Sequence, residues 1–297
     1  MPVLSTQALT KHYGRVAALN GLDLSIDAGQ VFGLLGPNGS GKTTFLATIL
    51  DVLRPTSGTF TWFDGSEGPR VRRRIGALLE TPNFYPYLDA DQNLALVAAI
   101  KGLSHFDPDP LLELVQLKER RASPFKTYSL GMKQRLAIAS CLVGDPDVLI
   151  LDEPTNGLDP EGMIEVRRIL LKIASQGKTI VLASHILDEV EKICSHVAIL
   201  KQGRCLASGA VGSILGGRPV VEAVTSEEDA EKLHQLLASL PYVLNLKREG
   251  VRLIFELEDG HVPGEINRQA FDKGITLNHI TSKSRSLEAE FLEITRS

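Results

Sequence analysis

The strongest chemical signal in the chain is Gly36-Pro-Asn-Gly-Ser-Gly-Lys-Thr43, which fits the pattern G-x-x-x-x-G-K-[S/T]. It follows an apolar run, Gln30 to Gly36, and opens a helix-like segment, "TTFLATIL", as a phosphate-binding loop must. Glycines let successive backbone N–H groups turn inward around phosphate oxygens, and the helix N-terminus adds partial positive charge. Gly36, Asn38, Gly39, Ser40, Gly41, Lys42, Thr43 and Thr44 are therefore expected to hold a nucleotide. In such a loop Lys42 reaches the β- and γ-phosphates, and the Thr43 hydroxyl is placed to ligate Mg²⁺.

A carboxylate pair supplies the rest of a hydrolytic site. "VLILDEP" delivers Asp152 and Glu153 at the end of an apolar run, the edge at which ligands of parallel sheets collect. Asp152 is expected in the Mg²⁺ shell, and Glu153 is placed to polarise an attacking water. His185 ends another apolar run, "TIVLASH", and would emerge on the same edge, where an imidazole bonded to the γ-phosphate reports its presence. "YSLGMKQR", Tyr128 to Arg135, adds a second helix start with anion-binding character: Ser129 to cap, Gly131 for close approach, Lys133 and Arg135 for charge.

Positioning these residues requires a particular scaffold. Five apolar runs, at Gln30–Gly36, Arg74–Glu80, Val148–Asp152, Thr179–Ser184 and His196–Leu200, are rich in Val, Ile and Leu and bounded by Gly, Pro or polar residues. Such runs indicate strands covered on both faces, hence an α/β fold with a mostly parallel sheet. Between the second and third runs, Pro86 to Asp145 carry helical patterns and little strand signal, which predicts an inserted helical subdomain over about 86–145. The stretch Gly209–Pro219 closes the first domain, placed at 1–216. Residues 217–297 then read strand, helix, strand, strand, helix, strand and a final helix, a small α+β domain with 9 basic against 14 acidic residues from Pro219 onward.

The order of these motifs resembles the ATP-binding subunit of an ABC transporter, over residues 1 to about 216. The resemblance rests on the P-loop at Gly36–Thr43, a signature motif at Ser129–Gln134, Walker B at Val148–Glu153, a D-loop at Gly157–Pro160 and a switch histidine at His185. It implies a P-loop nucleoside triphosphatase that binds ATP with Mg²⁺ and hydrolyses it. It also implies a head-to-tail dimer with a second copy, in which Ser129, Gly131 and their helix N-terminus bind the partner's γ-phosphate and Asp159 couples the two sites. Tyr13 corresponds to the aromatic on which adenine stacks. A separate transmembrane permease subunit is the implied partner, which places the chain peripherally at the cytoplasmic face of the cell membrane. The wording of the motifs resembles exporter subunits that expel antibiotics or confer bacteriocin immunity.

Two departures from the family pattern stand out. Leu130 and Met132 vary the signature, while Ser129 and Gly131 are kept. Glu80 occupies the Q-loop position where Gln is usual; a carboxylate there binds metal more strongly and repels a nearby γ-phosphate, and Gln92 lies too far along to replace it. Glu80 is thus expected to keep a metal and water-positioning role. The following "NFYPYL", Asn83–Leu88, lies where this family docks its membrane subunit, although Phe84 and Tyr85 could instead pack the subdomain core.

Composition narrows the remaining classes. The chain has 297 residues, 43% of them hydrophobic, and a net charge of -4, with no polyanion-binding tail. Nucleic acid is not an expected partner, and Arg70 and Arg72–Arg74 read as a solvated helix face. No apolar run approaches the roughly 20 residues of a membrane helix, and no secretion signal is visible. Cys141, Cys194 and Cys205 fit neither a disulfide framework nor zinc spacing, and are expected as inert thiols. A soluble ATP switch on a cytosolic complex is the alternative; its ribosomal relatives carry two P-loops, and here there is one.

Overall fold

The apolar runs become buried strands, and the computed structural model describes them within residues 2–65, 69–79, 82–215, 220–258, 260–283 and 287–296. The chain forms two compact units, Met1–Val211 with Ile294–Ser297, and Gly212–Glu293. The boundary expected from the sequence, at 216 and 217, lies outside the described residues.

The first unit opens with β1 (Pro2–Tyr13), β2 (Val16–Leu22), β3 (Ser25–Asp27) and β4 (Val31–Leu35), followed by α1 (Lys42–Ile49), β5 (Ser57–Trp62), α2 (Pro69–Arg73) and β6 (Ile75–Leu78). Three helices come next, α3 (Ala90–Ile100), α4 (Asp109–Leu114) and α5 (Leu130–Leu142). The unit continues with β7 (Val148–Asp152), α6 (Pro160–Ser175), β8 (Thr179–Ser184), α7 (Leu187–Ile193), β9 (His196–Lys201) and β10 (Arg204–Ala210), and the short α8 (Val211–Ile214) starts at its last residue before the boundary.

Its main sheet has the order β10-β9-β4-β8-β7-β6. The pairs β9–β4, β4–β8, β8–β7 and β7–β6 are parallel, and β10 is antiparallel to β9. Every residue of β4, β7 and β8 is buried, as strands covered on both faces require. The five expected strands are therefore present, each within a residue or two of its run at the described ends. The antiparallel sheet in which β1 pairs with β2, β3 and β5 was not among them. Between β6 and β7 the described residues contain helix and no strand.

Local chemistry sets the helix starts. Asp89 accepts from Gln92 N at 2.9 Å while Gln92 Oε1 accepts from Asp89 N at 3.1 Å, a reciprocal cap that begins α3. Gln92 is thereby committed to its own helix. Helix α6 starts with Asp159 as cap and Pro160 in its first turn.

The second unit contains β11 (Val220–Thr225), α9 (Glu227–Ser239), β12 (Val243–Glu249), β13 (Arg252–Leu257), α10 (Pro263–Asp272), β14 (Leu277–Lys283) and most of α11 (Leu287–Arg296). Its strands run antiparallel in the order β12-β13-β11-β14, a split βαβ arrangement. Alternate residues Val221 and Ala223 of β11 and Leu253 and Phe255 of β13 meet Leu233, Leu237 and Ile266 of the two helices in one core.

Candidate functional site

The loop after β4 takes its shape from glycine. Gly41 has φ 107°, and a Cβ there would lie 2.4 Å from Ala18 O, so no other residue fits between β2 and the start of α1. Ser40 is 2% exposed and its Oγ has no hydrogen-bond partner among the described residues, an orphan that a phosphate oxygen would satisfy. Lys42 folds back over the loop, donating to Gly36 O at 2.8 Å and approaching Pro37 O at 3.4 Å. Burial lowers the Lys42 ammonium below its ordinary value, while Glu153 and Asp152 oppose the shift. An anionic ligand in the cradle would likewise favour the charged form. Asn38 and Gly39 are exposed at the loop's tip, and Thr44 is half-buried in the first turn of α1.

Parallel pairing brings the acidic residues to this loop. The β7 strand ends at Asp152, 6% exposed, whose Oδ2 accepts from Thr43 Oγ1 at 2.7 Å. Glu153 follows with φ 49°, a left-handed backbone unusual for a residue with a side chain, and its N–H donates to Ala183 O of β8 at 2.9 Å. Such strain concentrates where the fold must aim a side chain. Glu153 Oε1 lies 3.9 Å from Lys42 Nζ, and Glu153 Oε2 lies 2.8 Å from His185 Nδ1. Lys42, Thr43, Asp152, Glu153 and His185 thus converge at the C-terminal edge of the sheet. A hydroxyl and a carboxylate this close form a hard-oxygen pair suited to Mg²⁺, which commonly takes one or two protein ligands and completes its shell with phosphate and water.

Ser129 and Gly131 lie at the start of α5, and Asp159 at the start of α6. Ser129 Oγ accepts from Met132 N at 3.2 Å, and Asp159 Oδ1 accepts from Gly162 N at 3.0 Å. A Cβ placed on Gly157 would meet Leu130 Cδ2 at 3.3 Å, so the two helix starts are neighbours. A Cβ placed on Gly131 would meet nothing within 4 Å. Tyr13 ends β1 with its side chain 48% exposed.

The expected metal role of Glu80 falls outside the described residues. Of the aromatic run after it, Phe84 packs edge-on against Phe125 at 5.1 Å between centroids, whereas Tyr85 and Tyr87 are 54% and 67% exposed. Phe84 is half-buried against Phe125, and the two tyrosines are surface. The basic helix face divides similarly: Arg72 pairs with Asp51 at 3.7 Å, and Arg74 pairs with Asp147 at 2.5 Å while stacking on Phe63. Sequence reasoning missed the fork between Arg167 on α6 and Glu189 on α7, with contacts of 3.0 and 2.5 Å. No local signal joins two helices across a strand.

Comparison with known proteins gives this geometry its family. A model of the ABC transporter family matches residues 19–156. The bacitracin transport ATP-binding protein of Enterococcus faecalis is 33% identical, over 98% of this chain and 96% of that protein. The lantibiotic transport ATP-binding protein of Streptococcus pyogenes is 42% identical over 69% of this chain and 89% of its own length. Among solved structures, a dimeric ATP-binding cassette in a post-hydrolysis state with ADP and phosphate superposes with a TM-score of 0.63 at 26% identity, covering 70% of this chain and 98% of that one. With relatives aligned along almost its whole length and a phosphate cradle facing a paired carboxylate, this chain belongs to the ABC transporter family as an ATP-binding subunit, an ATPase that powers transport.

Proposed function

We propose that two copies of this chain close head to tail over ATP, and that closing and reopening drive export of a peptide antibiotic through a separate membrane-spanning subunit. The bacitracin and lantibiotic transport roles of the two relatives support the cargo class. The dimeric cassette with ADP and phosphate supports the pairing. The chain itself has no helix, among its described residues, long and apolar enough to cross a membrane. It would sit peripherally on its partner at the cytoplasmic face.

The observation that carries the proposal is the start of α5. Gly131 serves neither its own backbone, which is not left-handed, nor its own packing, since a methyl group there meets nothing within 4 Å. A glycine kept for neither reason supports close approach by something outside the chain. Ser129 accepts from Met132 N and keeps its own hydroxyl proton for donation. A γ-phosphate held by the partner's loop fits both features, with the helix N-terminus adding partial positive charge.

Within one site, the N–H groups from Gly36 to Thr44, with Asn38 at the tip, take the phosphates, and Lys42 reaches the terminal ones. Tyr13 stacks the adenine. Thr43 and Asp152 hold Mg²⁺, which when bound neutralises charge developing on the phosphates. Glu153 takes the proton of the attacking water. His185 bonds that carboxylate through Nδ1 and keeps Nε2, on the opposite side of the ring, for the γ-phosphate. Loss of that phosphate removes the contact shared by both copies, and the dimer opens. Asp159, capping α6 beside the signature helix, links one site to the other. Glu80 assists Mg²⁺ and water. Tyr85, which lines a surface pocket with Leu96 and Ile100 of α3, and Tyr87, whose ring centroid is 5.9 Å from that of Tyr85, offer exposed apolar anchors for the membrane subunit.

The test is Glu153→Gln with ATP and Mg²⁺, followed by sedimentation. A stable dimer is expected, and it should be lost in the double variant with Gly131→Asp, which puts a carboxylate against the phosphate. A Glu153→Gln protein that binds ATP yet remains monomeric, even beside its membrane subunit, refutes the sandwich. For Glu80, equal turnover and Mg²⁺ dependence in wild type, Glu80→Gln and Glu80→Ala would remove it from the metal site.

A further inference from the structure

We infer that Lys11 is a positioning residue for nucleotide binding: it holds the Tyr13 ring for the base and ties it to the loop behind the phosphate-binding helix. The inference rests on the reading of Tyr13 as the adenine platform. A half-exposed tyrosine at the end of a strand has little packing to hold its ring. Lys11 lies two residues earlier on β1, so both side chains project from the same face of the strand. Its Nζ sits 5.4 Å from the centroid of the Tyr13 ring. The ammonium takes one face of the ring by cation–π attraction and leaves the other to the base.

A lysine at the surface is ordinarily mobile, and this one, half-buried, is pinned. Lys11 Nζ donates to Arg54 O at 2.6 Å. That carbonyl belongs to a loop laced to β1 on both sides of Lys11: Thr56 N donates to Thr10 O at 2.8 Å, and His12 N donates to Thr56 Oγ1 at 2.9 Å. The loop continues directly from α1, where Val52 N and Leu53 N both close onto Ala47 O, at 2.9 and 3.0 Å. Helix α1 begins at Lys42. One line of contacts therefore runs from the aromatic ring through Lys11 to the far end of the helix whose near end binds phosphate. Lys11 fixes where the base platform stands relative to the phosphate cradle.

The test separates the base from the phosphates. Calorimetric binding of ATP and of tripolyphosphate is measured on the full chain for wild type, Tyr13→Ala, Lys11→Met, Lys11→Arg and the Tyr13→Ala/Lys11→Met double variant. Tyr13→Ala is expected to weaken ATP about tenfold and leave tripolyphosphate unchanged. If ATP binding survives that change, the platform reading fails and the role of Lys11 falls with it. With the platform established, Lys11→Met should weaken ATP about threefold, spare tripolyphosphate, and add nothing on top of Tyr13→Ala. Lys11→Arg, which keeps a cation and a donor, should recover most of the loss. Wild-type ATP affinity in Lys11→Met, an equal loss for tripolyphosphate, or a full additional loss in the double variant each overturns the inference. Should Lys11→Met fold poorly, Lys11→Gln replaces it with the same expected and contrary outcomes.

Discussion

Thr43 Oγ1 donates to Asp152 Oδ2 across 2.7 Å, although 109 positions separate the two residues in the chain. The contact aims two hard oxygens at one place, and each can be altered without changing its shape. Thr43→Val removes the hydroxyl, and Asp152→Asn keeps an acceptor while removing the charge. Both are expected to lower Mg²⁺-dependent turnover by about a hundredfold or more and to raise the Mg²⁺ needed for half-maximal rate. ATP binding in EDTA, which depends on the loop's N–H groups and Lys42, should hold to within about threefold. Steady-state ATPase across a Mg²⁺ titration checks the first outcome, and an equal loss of metal-free binding contradicts it.

Lys42 should make stability depend on pH. Burial lowers its native value below the ordinary 10.5, so between the two values the unfolded chain binds more protons than the folded one. The burial penalty is full at low pH, shrinks as pH climbs through the depressed native value, and is gone above 10.5. Wild type is thus expected to gain Tm relative to Lys42→Met as pH is raised towards that value. Thermal melts of both proteins over a common pH series isolate the residue, because every other titrating group is shared. A difference that is flat or runs the other way refutes the assignment.

Thiol chemistry offers a probe of the same unit. Burial pushes the Cys141 thiol up to about 12 and also raises Cys194 well above its ordinary range, so neither presents thiolate at neutral pH. Cys205 is also shifted up but only half-buried. Iodoacetamide at pH 8 is expected to label Cys205 first, with Cys141 and Cys194 reacting only as fast as the fold opens. Peptide mass mapping over time reads the order. Early labelling of Cys194 would mean that β9 and α7 do not shield it.

The sequence disclosed what is continuous in sequence. A loop such as Gly36–Thr43 carries its geometry in its own glycines, and fully buried strands such as Val148–Asp152 show themselves as unbroken apolar runs. The β1 sheet escaped because its strands are partly exposed, mix polar with apolar residues, and pair through shifted registers at Leu9 and Lys11. The role of Gln92 was legible in the spacing Asp89-x-x-Gln92, which spells a helix cap. The left-handed turn at Glu153 was not, since it arises where β7 ends against β8.

The fork between Arg167 and Glu189 joins the helix that starts at Asp159 to the helix that follows His185, with Glu189 only 4% exposed and the Arg167 side chain half-buried. Two parallel contacts satisfy both charges, so removing Arg167 strands a buried carboxylate, and removing Glu189 leaves a guanidinium that water reaches only in part. Glu189→Gln and Arg167→Met are each expected to cost about 3–5 kcal/mol in urea unfolding. Replacing both by Leu and Met should recover most of that loss, because no buried charge then remains. If the single variants cost no more than an exposed pair, about 1 kcal/mol or less, water reaches the fork and it does not lock the two helices. If they cost the full amount and the double variant does not recover, the fork's geometry, rather than charge balance, holds α6 against α7.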